Sequence, residues 1–394
     1  MEGQFTVKAS RLYDSVSNKI IDDGAVVVCG DRVVYAGAAS GLPSIQGDEL
    51  SFENHTLLPG LIDAHVHLTM DGGADPVLDL TRDSLPKASF RAVRNAEKLI
   101  NAGITTVRDC GSQGYVSVEL SEAERSGLIK KTPRIVACGP PICITGGHGN
   151  FIGMCCDGPD EVRKAARTII KNGAKFLKLI STGGVITPGS TMGATQLDPP
   201  EVAAAVAEAK KLGLKTAAHA HGTEGIKIAL KAGVNTIEHA SYVDEESIEL
   251  FLQTGAVFVS TLIASQRQIE HIHEIPAFIG PKIIVHIEKE KESIEKLIEA
   301  GVTAVAGTDA GTPYNPHGEL YLQLITLSKL GLGNLGALKA GTIDAATALN
   351  MESDVGSLTT GKKADFIVVK GSPEKDLATL KEVCSVWKNG IRIC

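Results

Sequence analysis

Between residues 57 and about 350 the chain alternates two kinds of stretch. One is amphipathic at helical spacing, rich in Ala, Lys and Glu; the other is a short, continuously apolar run rich in β-branched residues. Six times a helical stretch ends on glycine and an apolar run follows within two residues: Gly103, Gly173, Gly213, Gly233, Gly255 and Gly301. A glycine there supplies the left-handed residue that ends a helix, and so short a link lays the next strand beside the previous one. The pattern predicts eight strands, at 57–67, 104–110, 134–139, 176–181, 216–221, 236–240, 257–262 and 302–309. Continuous apolar runs, rather than clean alternations, suit parallel strands covered on both faces. Eight strand–helix units predict an α/β fold, a (β/α)8 TIM barrel over 57–355. An open doubly wound sheet is the competitor, but no Gly-x-Gly-x-x-Gly follows the first strand. The ends read differently: alternating strand-like runs at 5–9, 24–29, 32–38, 365–369 and 383–387, with turns at Gly30-Asp31 and Asn389-Gly390. They predict a small β domain, a sandwich built from both termini (1–56 and 356–394).

Composition sharpens this. There are 42 Gly, against roughly 28 at about 7% usage, but they have no short period and therefore no collagen-like meaning. With one Trp, six Tyr and nine Phe, the chain is poor in stacking surface for nucleic acid. The net charge of −7 and the lack of a basic patch argue the same way, and against anionic membranes. No apolar run approaches about 18 residues, and Met1 to Lys8 lacks a signal-peptide pattern. The eight Cys include no Cys-x-x-Cys pair. They read as buried thiols of a reduced, cytoplasmic protein.

In a barrel the reacting groups stand at the carboxyl ends of the strands. Strand one ends in Asp63-Ala64-His65-Val66-His67. Histidines two apart on a strand share a face, so both can reach one metal ion. Strand four carries Lys178 in an apolar run. Strand five ends in His219-Ala220-His221, strand six in Glu238-His239 and strand eight in Thr308-Asp309. Four strand ends offering His or Asp, plus a lysine in an apolar strand, point to a metal centre.

The run Leu57-Leu58-Pro59-Gly60-Leu61-Ile62-Asp63-Ala64-His65-Val66-His67 resembles the opening metal motif of the amidohydrolase superfamily. Val355 to Phe366 resembles that superfamily's return into its small β domain. Lys178, His219 to Gly225 and Ile237-Glu238-His239 are most similar to the prolidase-like group, with imidazolonepropionases and ochratoxin-type amidases as neighbours. The resemblance implies two divalent ions, zinc by default, with a shared hydroxide. His65 and His67 would hold one ion with Asp309, and His219 and His239 the other. Lys178 would bridge them as a carbamate, because a free ammonium has no lone pair to offer. It implies hydrolysis of small dipeptides with a C-terminal proline or another residue, Asp309 carrying the proton, in a homo-oligomer. Amides of N-acyl amino acids, aryl amides and a cyclic amide are the alternatives; a silent scaffold is a remote one. His221 then lies nearer the mouth. His148, in Thr145-Gly146-Gly147-His148-Gly149-Asn150, is a donor to the oxyanion or substrate carboxylate. Arg108 pairs either with a substrate carboxylate or with an acidic neighbour, and Tyr242 either lines the pocket or packs. His271, His273, His286 and the Lys/Glu-rich stretch 288–299 read as solvated, and His55 as structural.

Overall fold

The computed structural model describes residues 3–44 and 47–394; Met1, Glu2, Ile45 and Gln46 lie outside the described residues. The α/β alternation is observed, as parallel sheets. Eight parallel strands follow in the expected order: Leu61–Val66, Ile104–Asp109, Arg134–Ala137, Phe176–Ile180, Lys215–Ala220, Thr236–His239, Val257–Ser260 and Ala304–Ala306. All six helix-ending glycines have positive φ, between 67° and 97°. The strands Leu61–Val66, Ile104–Asp109 and Phe176–Ile180 are buried along their whole length, as a doubly covered sheet requires. Leu85–Asn101 shows how the helices cover them: it buries Ala88, Ala92, Ala96, Leu99 and Ile100, a stripe of helical spacing with mostly small side chains.

Hydrogen bonding divides these strands into two parallel sheets, the first three strands in one and the last five in the other. The cause lies in the third strand. It was expected to run over 134–139 but stops at Ala137, because Gly139 has φ 68° and is followed by Pro140 and Pro141, which have no N–H for a ladder. The chain resumes as Ile142–Cys143, paired with Leu179 on the other sheet and with the short strand Met154–Cys155. At the opposite seam Asp309 N donates to His65 O at 2.7 Å and His67 N to Ala310 O at 2.9 Å. The two sheets therefore meet where the first and eighth strands end.

The terminal segments form one mixed seven-stranded sheet, including Gln4–Asp14, Lys19–Cys29, Arg32–Ala38, Asp48–Pro59, Phe366–Lys370 and Val383–Lys388. Register shifts between Ala9 and Arg11, which changes strand parity, so that Val7, Ala9 and Leu12 all reach one core with Leu57, Phe366 and Trp387. The only Trp stacks on Phe366 at 4.6 Å. The stretch expected as one strand over 57–67 is two. Leu57 to Pro59 pair with Val368 to Phe366, and the chain crosses to the parallel strands at Gly60. A Cβ added at Gly60 would lie 2.1 Å from Thr105 Oγ1 and 2.5 Å from its methyl group.

Gly60→Ala should consequently lower stability by about 1–3 kcal/mol through overpacking. The check is a fall in the denaturant midpoint with little change in slope; an unchanged midpoint would contradict the contact.

Candidate metal centre

The carboxyl ends of the parallel strands gather the predicted donors. On the first strand, His65 Nδ1 lies 2.7 Å from Glu238 Oε2, and His67 Nδ1 donates to Gly111 O at 2.8 Å. Those partners put a hydrogen on each Nδ1 and leave each Nε2 as an acceptor. Both Nε2 atoms face Asp309 Oδ1, at 3.5 and 3.2 Å. Acceptors converging in this way need a cation between them; in the free chain a proton serves, and Asp309 pushes the His67 ring up despite its burial. Burial would raise the Asp309 carboxyl, but the hydrogen bond with His67 and the charges of His65, His67 and Lys178 hold it below its ordinary range.

On the fifth and sixth strands, His239 Nδ1 bonds Thr261 Oγ1 at 2.6 Å and its Nε2 lies 2.9 Å from His219 Nδ1. His221 stacks on His239 with ring centres 4.6 Å apart, its Nδ1 2.8 Å from Ser241 Oγ. Two donor sets result, His65/His67/Asp309 and His219/His221/His239, the atoms of each within 4.8 Å of one another. Lys178, only 2% exposed, lines the same cavity, and neither its Nζ nor His219 Nε2 has a hydrogen-bond partner. A buried, unpartnered ammonium is costly, so this donor chemistry fits divalent ions with a modified Lys178. Burial holds His65 near a pKa of about 4 and His148 near about 3. It holds His219, His221 and His239 well below their ordinary value, and the neighbouring histidines and Lys178 add to it. These rings are neutral at neutral pH, and their lone pairs are free for a metal.

The backbone is strained to present them. His239 has φ 71° at the centre of a tight turn closed by Ala240 N to Glu238 O at 2.9 Å, and Asp309 has φ 56°. Such residues cost on the order of 1–3 kcal/mol each. Gly307 makes room: a Cβ there would lie 2.7 Å from His65 Cβ.

Below the donors, Arg108 Nη2 donates to both oxygens of Glu238 at 2.7 and 2.8 Å, Nη1 to Thr236 Oγ1 at 2.9 Å and Nε to Ala64 O at 2.7 Å. The expectation that Arg108 meets a substrate carboxylate is corrected: its guanidinium is buried and committed to Glu238. The rim corrects another expectation. His286, read as solvated, is fully buried, with Nε2 3.1 Å from Glu290 Oε2 and Nδ1 3.2 Å from Tyr242 OH. Its ring lies 4.9 Å from that of His221. Tyr242 thus stands behind His286 and is not among the residues lining the cavity. His148 does line it, with its ring 4.5 Å from that of His219 and its Nδ1 2.8 Å from Thr187 Oγ1. The wall has an apolar part, with Met70, Phe151, Ile152, Val185, Ile186 and Ile283, and a polar part with Thr261, Ser265, Gln268, Thr312 and Glu290. His271 bonds Glu274 near the surface, His55 bonds Glu53 O, and His317 is buried outside the cavity.

Sequence reasoning missed Glu238, Thr261, Thr187, Ser241 and the His286–Glu290 pair. A signal for the last existed: Ile283, His286, Glu290, Ser293, Ile294 and Leu297 form one buried helical stripe.

The amidohydrolase family pattern matches residues 56–392. Ochratoxinase of Aspergillus niger is 28% identical over 426 residues, covering 99% of this chain and 86% of that protein. Imidazolonepropionase of Rhizobium meliloti is 25% identical over 386 residues, covering 89% and 85%. Among solved structures, a Xaa-Pro dipeptidase with methionine bound in its active site superposes with a TM-score of 0.90 at 30% identity, covering 99% of both chains. A prolidase complexed with N-methylphosphonate-L-proline does so with a TM-score of 0.90 at 27% identity, again over 99% of both chains.

Arg108→Met should leave Glu238 charged and unpaired and cost about 3–5 kcal/mol, whereas Arg108→Met with Glu238→Leu should regain much of it. Denaturant midpoints test this. The double variant should still be impaired in catalysis, since His65 has lost the partner that orients it.

Proposed function

Since the chain belongs to the amidohydrolase family and is a hydrolase acting on C–N amide bonds, we propose that it is a binuclear metal-dependent dipeptidase. Its substrates would be dipeptides ending in proline or a similar residue. The observation that carries this is Lys178: a buried lysine whose Nζ has no hydrogen-bond partner, beside the donor sets His65/His67/Asp309 and His219/His221/His239. A neutral amine there would take up CO₂ and release a proton, giving a carbamate anion whose two oxygens would serve the two ions. His65, His67 and Asp309 would hold one ion, His219 and His239 the other, with His221 at the mouth. Zinc suits these donors, as do Mn, Co and Fe. Two such ions, when bound, polarise the amide carbonyl and acidify a water.

The chain's own groups do the rest. Asp309 takes the proton of the attacking water and returns it to the leaving nitrogen. In an X-Pro bond that nitrogen carries no hydrogen before cleavage, so the return is indispensable. His148 steadies the oxyanion. Thr187 Oγ1 accepts from Gly149 N at 3.2 Å and lies 2.8 Å from His148 Nδ1; with the Thr187 hydroxyl donating to Nδ1, the ring hydrogen would stand on Nε2 for the oxyanion. A Cβ at Gly184 would lie 2.5 Å from that Nε2, so the loop after strand four can close over the ring only as glycine. The apolar wall receives the substrate's side chains.

In this reading residues 57–355 make a (β/α)8 barrel and the two termini (1–56 and 356–394) a small β-sandwich domain, in a cytoplasmic homo-oligomer. A second reading, an amidase on N-acyl amino acids or aryl amides, is favoured by the 28% identity to ochratoxinase along nearly the whole chain.

Protein loaded with metal should contain two ions per chain. Lys178→Ala should lose most of that metal and at least about a thousandfold in kcat/KM, roughly 4 kcal/mol. Metal analysis and steady-state kinetics measure both, and wild-type turnover in the variant would refute the bridging role. A library of dipeptides and N-acyl amino acids decides between the readings: turnover of the second class alone would select the amidase.

A further inference from the structure

We propose that Cys143 and Cys155 are a site of reversible oxidation, forming a disulfide that ties the base of the loop carrying His148. The two sulfurs lie 3.7 Å apart although the residues are twelve positions apart in the chain. They are directly paired on neighbouring parallel strands, and Cys156 N donates to Cys143 O at 2.8 Å, so the backbone already holds the geometry. Neighbouring strands lie about 4.8 Å apart, within the roughly 4.4–6.8 Å between Cα atoms that a disulfide spans. Bond formation needs the sulfurs to close, not the backbone to move. Gly153 keeps the space: a Cβ there would come within 2.6 Å of Cys143 Sγ.

The pair is also asymmetric in the way such chemistry needs. Cys155 is exposed and Cys143 is buried behind it. Peroxide oxidises the Cys155 thiol to a sulfenic acid and is reduced to water, or to an alcohol if a hydroperoxide. The Cys143 sulfur then displaces the hydroxyl, the S–S bond forms, and the sulfenic hydroxyl leaves as water with the Cys143 thiol hydrogen. The two sulfurs lose two electrons and the peroxide gains them; a dithiol reverses the step. The loop so closed runs from Ile144 to Met154 and contains His148, which reaches over His219.

Treating the full-length protein with hydrogen peroxide and then blocking free thiols tests this by peptide mapping. The expected product is a Cys143–Cys155 cross-linked peptide, about 2 Da lighter than its reduced parts and lost on adding dithiothreitol. Titratable thiols in denaturant should fall from eight to six, two fewer. The thermal midpoint should rise, because the link constrains the unfolded chain. Cys155→Ser, a surface substitution, should abolish the cross-link and the rise in midpoint while the reduced variant keeps wild-type turnover. A bond between Cys155 and Cys156, oxidation of Cys155 without any bond, or no reaction at either residue would each overturn the proposal.

Discussion

The Arg108–Glu238 pair is the interaction on which the donor arrangement rests. It lies beneath the cavity, where a lone charge of either sign would be prohibitive, and the two groups are tolerable only together. Through Ala64 O, Thr236 and His65, the pair joins the first, second and sixth strands at one point. It also decides a tautomer. With Glu238 accepting from His65 Nδ1, the ring has no choice but to turn its Nε2 lone pair towards Asp309.

Above this floor the same burial that shelters the pair strips every histidine of the cluster but His67 of its charge. Five rings, those of His65, His148, His219, His221 and His239, each have their centre within 4.5–5.2 Å of a neighbour's, an arrangement that would be repulsive if they were protonated. Neutrality makes them compatible with each other and useful as ligands at once. Lys178 Nζ, buried and without a hydrogen-bond partner, is the element the protein alone does not satisfy. In the proposed reading, CO₂ and metal ions would complete the cluster.

Much of this was legible in the sequence, for identifiable reasons. His65 and His67, Lys178, His219, His239 and Asp309 announce themselves because a strand has period two and because polar groups in continuous apolar runs need an explanation. The helix ends were marked by glycine. What stayed hidden depends on contacts between distant residues. Glu238 looked like a companion of His239, and only the fold shows Arg108 beneath it. His286 and Glu290 sat in a Lys/Glu-rich helix whose charge density hid its buried stripe. The third strand's early stop was written in Gly139-Pro140-Pro141 but was masked by the apolar run before it.

The left-handed backbone at His239 and Asp309 bears on which ion such a centre can prefer. Two of its donors hang from peptide units already forced into an uncommon conformation and pinned by hydrogen bonds to neighbouring strands. Their separation is set by the framework, not by the guest. A pliant set of imidazoles and carboxylates contracts or expands around whatever divalent ion arrives, and its affinities then follow the general order that ends in copper. A stiff set imposes its own gauge. An ion too large or too small, or one that favours a square plane, would forfeit bonds at such a site that it makes elsewhere. If the proposed ions bind, discrimination among them would draw on the rigidity of the peptide units at His239 and Asp309 as well as on the identity of the ligands.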